Sequence, residues 1–203
     1  MTDRKTKRLP VAYLTRMAVL TALAAVLFLT LEIPVVAFYK LDFSNLPVLL
    51  GAFAMGPVPG LVILALKVLI HILLKGLGTT MGIGDLADFI MGAAYILPAA
   101  LLYRRRRTRR NAIIGMVSGT LCMIVVSVLV NWLLLIPVYM TAYHMDLAAI
   151  IGMATKTLPF VDTEWKLLLL VTAPFNLLKG VVISLITYFI YKPLSPVLKA
   201  GKR

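Results

Sequence analysis

The chain consists of long apolar runs separated by short polar or charged interruptions. Runs of this kind are the pattern of helices that cross a membrane, each needing ~20 apolar residues. The first run, 9–33, stops where Glu32, Ile33 and Pro34 bring a charge and a helix breaker together. A loop over 34–43 follows. The second run, 44–56, has an apolar heart at 46–55 that is short against the ~20 residues needed to cross about 30 Å of hydrocarbon. The turn at 56–60, Gly-Pro-Val-Pro-Gly, leads into a third run, 58–75, which carries Lys67 and His71. A glycine-rich loop over 76–84 precedes the fourth run, 85–103, which ends at an arginine block occupying all of 104–110 except Thr108. The fifth run covers 111–140. A polar connection with a short surface helix near 146–154 then leads to the sixth, 165–191.

Charge resolves the doubtful second run. Arg4, Lys5, Lys7 and Arg8 precede the first run, the arginines fill the block at 104–110, and Lys192, Lys199, Lys202 and Arg203 close the chain. If these clusters share the cytoplasmic side, an even number of crossings separates the first from the second, and 44–56 must cross. The sequence therefore predicts an all-α integral membrane protein. It forms a bundle of six transmembrane helices in a single domain over 1–203, with both termini cytoplasmic. The opposite face keeps Lys40, Lys75, Lys156 and Lys166 and nearly all the acidic residues.

Composition agrees with this class and narrows the function. Of 203 residues, 61% are hydrophobic and 14% charged, and the mean hydropathy is +0.97. The net charge of +13 lies in blocks between spans, so it reads as a topology signal and not as a nucleic-acid surface. A lone Cys122 offers no disulfide framework. The basic start resembles a signal peptide, but its apolar stretch exceeds the usual length, which predicts a retained first helix. There is no Walker motif, no metal-ligand spacing and no nucleophile–base arrangement, so an enzyme is not expected.

Polar side chains inside spans are costly, which makes each a candidate site residue. Asn131 lies in the fifth run, and Asn176 with Lys179 share one face of the sixth, just after Pro174. Together they offer amide donors, amide acceptors and an ammonium. Their alternative roles are interhelical glue for Asn131 and pairing with Asp85 or Asp88 for Lys179. Asp85 and Asp88 are expected to cap the fourth helix through its dipole. Lys67 and His71 share a face of the third run, but that run holds no carboxylate to complete a proton relay. Gly115 with Gly119, and Ala18 with Ala22, are small-residue spacings that admit a close neighbour.

Four segments together resemble the riboflavin-binding S components of the energy-coupling factor (ECF) transporters. They are Lys40-Leu-Asp-Phe-Ser-Asn-Leu-Pro-Val-Leu-Leu-Gly-Ala-Phe-Ala-Met-Gly-Pro57, Gly82-Ile-Gly-Asp-Leu-Ala-Asp-Phe89, the Leu-Tyr103-Arg-Arg block end, and Pro174-Phe-Asn-Leu-Leu-Lys-Gly180. The resemblance runs in order through nearly the whole chain. It implies a six-helix fold that binds riboflavin near the outer face as transported ligand, with no cofactor. It also implies partners that supply the nucleotide chemistry this chain lacks: a transmembrane coupling subunit and two ATPase subunits. By resemblance Asn131, Asn176 and Lys179 match ligand contacts, Leu41 and Phe43 fall in the lid loop, and Asp85 joins the substrate-binding set. Ala18 and Ala22 match the motif that docks on the coupling subunit. Alternatives are an S component for another vitamin such as folate or thiamine, a proton-coupled secondary transporter working through Lys67 and His71, and a non-transporting scaffold.

Overall fold

The computed structural model describes residues 10–36, 39–77, 82–142 and 144–199, of which residue 36 and 194–199 are described by backbone alone. The basic residues Arg4, Lys5, Lys7, Arg8, Lys202 and Arg203, the loop centre 78–81 and residues 37–38 lie outside the described set.

The apolar runs form helices close to where the sequence puts them. They are α1 (Val11–Thr30), α2 (Asn45–Met55), α3 (Pro57–Lys75), α4 (Ile83–Arg105), α5 (Arg109–Val130), α6 (Ile136–Ala142), α7 (Leu147–Thr155), α8 (Glu164–Leu167) and α9 (Ala173–Lys199). A π-helical stretch, Asn131–Leu135, joins α5 to α6, and a second, Leu168–Thr172, joins α8 to α9. Among the described residues, five helical units are long and apolar enough to cross a membrane: Val11–Thr30, Pro57–Lys75, Ile83–Arg105, Arg109–Ala142 and Glu164–Pro193.

Two points differ from the sequence reading. The loop at 34–43 contains a short antiparallel hairpin, β1 (Ile33–Val36) with β2 (Tyr39–Leu41), so the fold is helical but not purely so. Its register pairs Ile33 with Leu41 and Pro34 with Lys40. A two-stranded ribbon accommodates Pro34 because each strand has an unpaired edge. The segment at 56–60 is also not a loop. Gly56, at φ +116°, makes the turn alone, and Pro57 starts α3, where a missing N–H costs nothing.

Helix α2 is about 16 Å long at 1.5 Å per residue and is buried nearly throughout by α1, α3, α4 and α9. Its Val48, Leu49 and Phe53 form the centre of the main core with Leu20 and Ala24 of α1, Ile63 and Leu64 of α3, Tyr95 and Ile96 of α4 and Ile183 of α9. The outward faces carry Val19, Leu23, Leu73, Leu121, Val125 and Phe189, all exposed, as helices surrounded by lipid require. Gly115 and Gly119 lie against the backbone of α4. A Cβ on Gly115 would stand 2.7 Å from the Ala99 carbonyl, and one on Gly119 would overlap the Tyr95 carbonyl. The G-x-x-x-G spacing is thus occupied within the chain.

A second core surrounds Tyr39 with Ile136, Ile150, Ala154, Val161, Leu167 and Leu168. It packs the hairpin, α6, α7 and α8 together over one end of the bundle.

Candidate functional site

The two π-helical stretches lie at this end, and each has a local cause. Proline has no N–H to donate to the carbonyl four residues back, so the helix preceding it loosens. Pro137 follows the first stretch and Pro174 the second. Single π turns cluster at functional sites because the widened backbone re-aims its side chains. Asn131 opens the first stretch, and Thr172 closes the second.

Tyr39 reaches from β2 into the space between them. Its hydroxyl donates to Asn131 Oδ1 at 3.0 Å and is in short contact with the Thr172 hydroxyl. Its ring stands 5.2 Å from that of Phe175. Asn131 Nδ2 donates to the Ser127 carbonyl at 2.8 Å, and Asn176 Nδ2 donates to the Thr172 carbonyl at 2.9 Å. Each amide is held by its own helix. Of the two amide oxygens, that of Asn131 receives Tyr39, while Asn176 still has acceptor capacity.

A buried ionic cluster lies beside the amides. Lys179 Nζ is 2.6 Å from Asp42 Oδ2 and 3.6 Å from Asp88 Oδ1. Lys67, with no exposed surface, donates to Asp88 Oδ2 at 2.7 Å, Ser44 Oγ at 2.8 Å and Asn45 Oδ1 at 3.2 Å. Its ammonium also sits 4.4 Å from the centre of the Phe28 ring. Asp42 accepts from the Ser44 backbone N–H at 2.9 Å and from the Ser44 hydroxyl. Burial pushes the Asp42 carboxyl up, but the opposing pull of Lys179 and Lys67 and the bonds from Lys179 and Ser44 hold it well below the usual carboxylate range. Two ammoniums and two carboxylates sum to zero charge, the condition under which buried ions are tolerated. His71 Nδ1 lies 2.6 Å from Asp85 Oδ1, a close contact without hydrogen-bond alignment. At the rim, Glu32 meets Lys40 at 2.7 Å and Lys75 at 3.3 Å. Partial burial raises the Glu32 carboxyl, and the two ammoniums more than reverse this, leaving it below the ordinary glutamate range.

Many of these groups line a cavity of 600 Å³. Its walls include Asn131, Asn176, Lys179 and Asp85, together with Tyr39, Asp42, Asp88 and His71. Apolar surface comes from Phe28, Met91, Leu135 and Phe175. The expected polar residues thus share a chamber. Leu41 and Phe43, both half-buried, stay outside its walls, whereas their neighbours Tyr39 and Asp42 line it. Asp85 lies in the first turn of α4, where the dipole favours a carboxylate, but neither Asp85 nor Asp88 caps the helix by a hydrogen bond. Gly82 is the N-cap of α4, no side chain caps it, and the two carboxylates turn to His71 and Lys67. Carboxylates absent from the third run are therefore supplied by α4. Lys179 takes Asp42 as its nearer partner and Asp88 as the second, not Asp85. Ala18 and Ala22 are exposed on α1, away from the cavity. Among the described residues there is no His, Cys, Asp and Glu grouping suited to a metal ion.

A membrane-embedded helical bundle with a polar chamber that opens among buried amides and a neutral ion cluster has the anatomy of a solute-binding membrane protein. The family described as "ECF transporter, substrate-specific component" matches residues 12–191, and the chain belongs to that family. It is a multi-pass membrane component of a bacterial type of transporter and not an enzyme. It is 31% identical over 190 residues to the "Riboflavin transporter RibU" of Staphylococcus aureus (strain TCH60), covering 92% of each chain. It is 30% identical over 188 residues to the protein of that name from Streptococcus thermophilus, covering 90% of this chain and 84% of the relative. The "Riboflavin transporter FmnP" of Bacillus subtilis (strain 168) is 27% identical over 159 residues, 78% of each. A solved structure of the S component of a bacterial ECF transporter superposes with a TM-score of 0.70 at 28% identity, over 92% of this chain and 97% of the other.

Proposed function

We propose that the protein is the riboflavin-binding subunit of an ECF-type importer and that the 600 Å³ chamber is its vitamin site. The observation that carries this reading is the pairing of an apolar slot with a buried ion cluster, Lys67, Lys179, Asp42 and Asp88, whose charges sum to zero. Riboflavin is uncharged, flat and largely apolar, with carbonyls and one ring N–H at one edge and hydroxyls along its chain. Asn176 Oδ1 suits the ring N–H, and the ammonium of Lys179 suits a ring carbonyl. Asn131 and Tyr39 add a second amide and a phenol, Phe175 offers a ring to stack on, and Asp85 and His71 stand at the outer wall. An anionic vitamin such as folate, or a cationic one such as thiamine, would unbalance Lys67, Lys179, Asp42 and Asp88. The names of the relatives support the same choice.

In this reading the chain is a single domain, the segment 44–56 completes a sixth crossing, and both termini are cytoplasmic. Leu41 and Phe43 belong to the hairpin loop that covers the bound vitamin. The exposed Ala18 and Ala22 meet a transmembrane coupling subunit, which two ATPase subunits drive. Protein purified in detergent carries a yellow, flavin-absorbing ligand. Asn176→Ala and Lys179→Ala each weaken riboflavin binding, measured by quenching of flavin fluorescence, by at least ~10-fold, the loss of one desolvated hydrogen bond. Unchanged affinity in both variants refutes the site, and ATP-independent accumulation in vesicles containing this chain alone refutes the partners.

A further inference from the structure

At the end of the bundle opposite the vitamin chamber, the structure has a second cavity, of 530 Å³. The ends of α2, α4, α5 and α9 enclose it. Its floor is aromatic: the Phe53 and Tyr103 rings are 4.6 Å apart, and Tyr191 stands edge-on to both at 5.5 and 5.6 Å. Its mouth is cationic, formed by Arg107, Arg109 and Lys192. None of the three makes an ion pair among the described residues. Thr108 also lines the mouth and accepts from the Asn111 N–H at 3.2 Å as cap of the 22-residue α5, so the start of that helix presents its dipole to the same space.

Between mouth and floor, Thr187 lines the cavity with no exposed surface, and its hydroxyl has no hydrogen-bond partner among the described residues. A buried hydroxyl without a partner costs free energy unless something outside the chain satisfies it. The cavity also continues outward. Met116 and Tyr188 line both it and a groove of 410 Å³ that runs between α5 and α9 from Ile113 to Leu121. That groove is about 12 Å long at 1.5 Å per residue. Two of the hydroxyls in its wall are engaged, Thr120 with the Met116 carbonyl and Ser184 with Tyr95; apart from Tyr188, shared with the cavity, the rest of the wall is apolar.

We propose that the cavity and groove form one binding site for a single anionic phospholipid. Arg107, Arg109 and Lys192 hold the phosphate, the Thr187 hydroxyl donates to a glycerol ester oxygen, and one acyl chain lies in the groove. The order of chemistry along the path, three cations without an ion pair among the described residues, a buried hydroxyl and then a mainly apolar slot, is the order of groups along the lipid. Basic pockets between transmembrane helices are known acceptors of such headgroups. Arginines at a membrane boundary need only face the headgroup layer in general, and that ordinary role explains neither the buried hydroxyl nor the continuous groove.

The test is lipid retention by native mass spectrometry of the detergent-purified protein, titrated with dioleoyl phosphatidylglycerol or dioleoyl phosphatidylcholine. The expected result is one phosphatidylglycerol bound at least ~10-fold more tightly than phosphatidylcholine. Replacing all three cations, Arg107→Gln, Arg109→Gln and Lys192→Gln, removes that preference. Val181→Trp, which fills the groove from a lipid-facing position, lowers retention while leaving the cations in place, and it serves also if the triple variant does not fold. Thr187→Val weakens phosphatidylglycerol by several-fold without changing headgroup preference. Equal binding of the two lipids, an unaffected triple variant, or an unaffected Val181→Trp overturns the site. Competition by inorganic phosphate as effective as that by phosphatidylglycerol overturns the lipid as occupant.

Discussion

Replacing Lys67 by Met tests whether the ionic cluster holds the bundle together. The thioether fills the volume of the lysine stem without its charge. Asp88 then loses its 2.7 Å partner and keeps only Lys179, at 3.6 Å and already committed to Asp42 at 2.6 Å. Ser44 and Asn45 lose a donor as well. Removing one partner of a buried pair costs about 3–5 kcal/mol, because the other charge stays behind in a medium that solvates it poorly. For a chain of this size each kcal/mol shifts Tm by ~2–4 °C, so the expected loss is ~6–20 °C. Trp132 and Trp165, with rings 5.5 Å apart, report unfolding by intrinsic fluorescence in detergent. The pairing itself is isolated by adding Asp88→Asn. If the cost is that of an orphaned charge, the double variant is less destabilised than the sum of the two single variants. A Tm within ~1 °C of the parent for Lys67→Met, or strict additivity in the double variant, refutes the reasoning.

Two further outcomes follow from the packing and hydrogen bonds. Tyr39→Phe keeps the ring on Phe175 but strips the hydroxyl from Asn131 and Thr172, leaving buried polar atoms without their partner. Riboflavin dissociation, followed by stopped-flow fluorescence, speeds up by about 5- to 100-fold, the equivalent of one lost buried hydrogen bond of ~1–3 kcal/mol. An unchanged rate removes Tyr39 from the site. Gly119→Ala drives a methyl into the Tyr95 carbonyl, a backbone atom that cannot swing aside. The expected cost is about 1–3 kcal/mol of overpacking, seen as a lower Tm, while Gly152→Ala, where nothing lies within reach of the added methyl, serves as the control.

The spans were legible because lipid contact writes itself as unbroken apolar sequence, and a run such as that within Arg109–Ala142 admits few other structures. Asn131, Asn176 and Lys179 were legible for the converse reason, as polar groups with no excuse for being where they are. The remaining wall of the chamber was hidden. Tyr39 and Asp42 sit in a segment with no helical period, and an aspartate in a loop looks solvated until Lys179, 137 residues away, is brought against it. The capping reading of Asp85 and Asp88 was incomplete: Asp85 lies in the first turn of α4, but the partners of both carboxylates come from α3 and α9. Lys67 and His71 on α3 could have suggested otherwise, since two basic and two acidic groups on consecutive helices invite pairing. The π-helical stretches did leave a trace in Pro137 and Pro174, although a proline alone does not say which way the backbone yields.

The zero-sum cluster also constrains how the protein can be made. A lone Lys67 or Asp88 entering the bilayer costs about 2.5–3.5 kcal/mol at mid-depth, so α3 and α4 gain by leaving the translocon as one neutralised hairpin, joined 21 residues apart. Asp42 gains its 2.6 Å partner Lys179 only when α9 emerges. Biosynthesis thus completes the chamber last, when the final helix closes a circuit begun near the first.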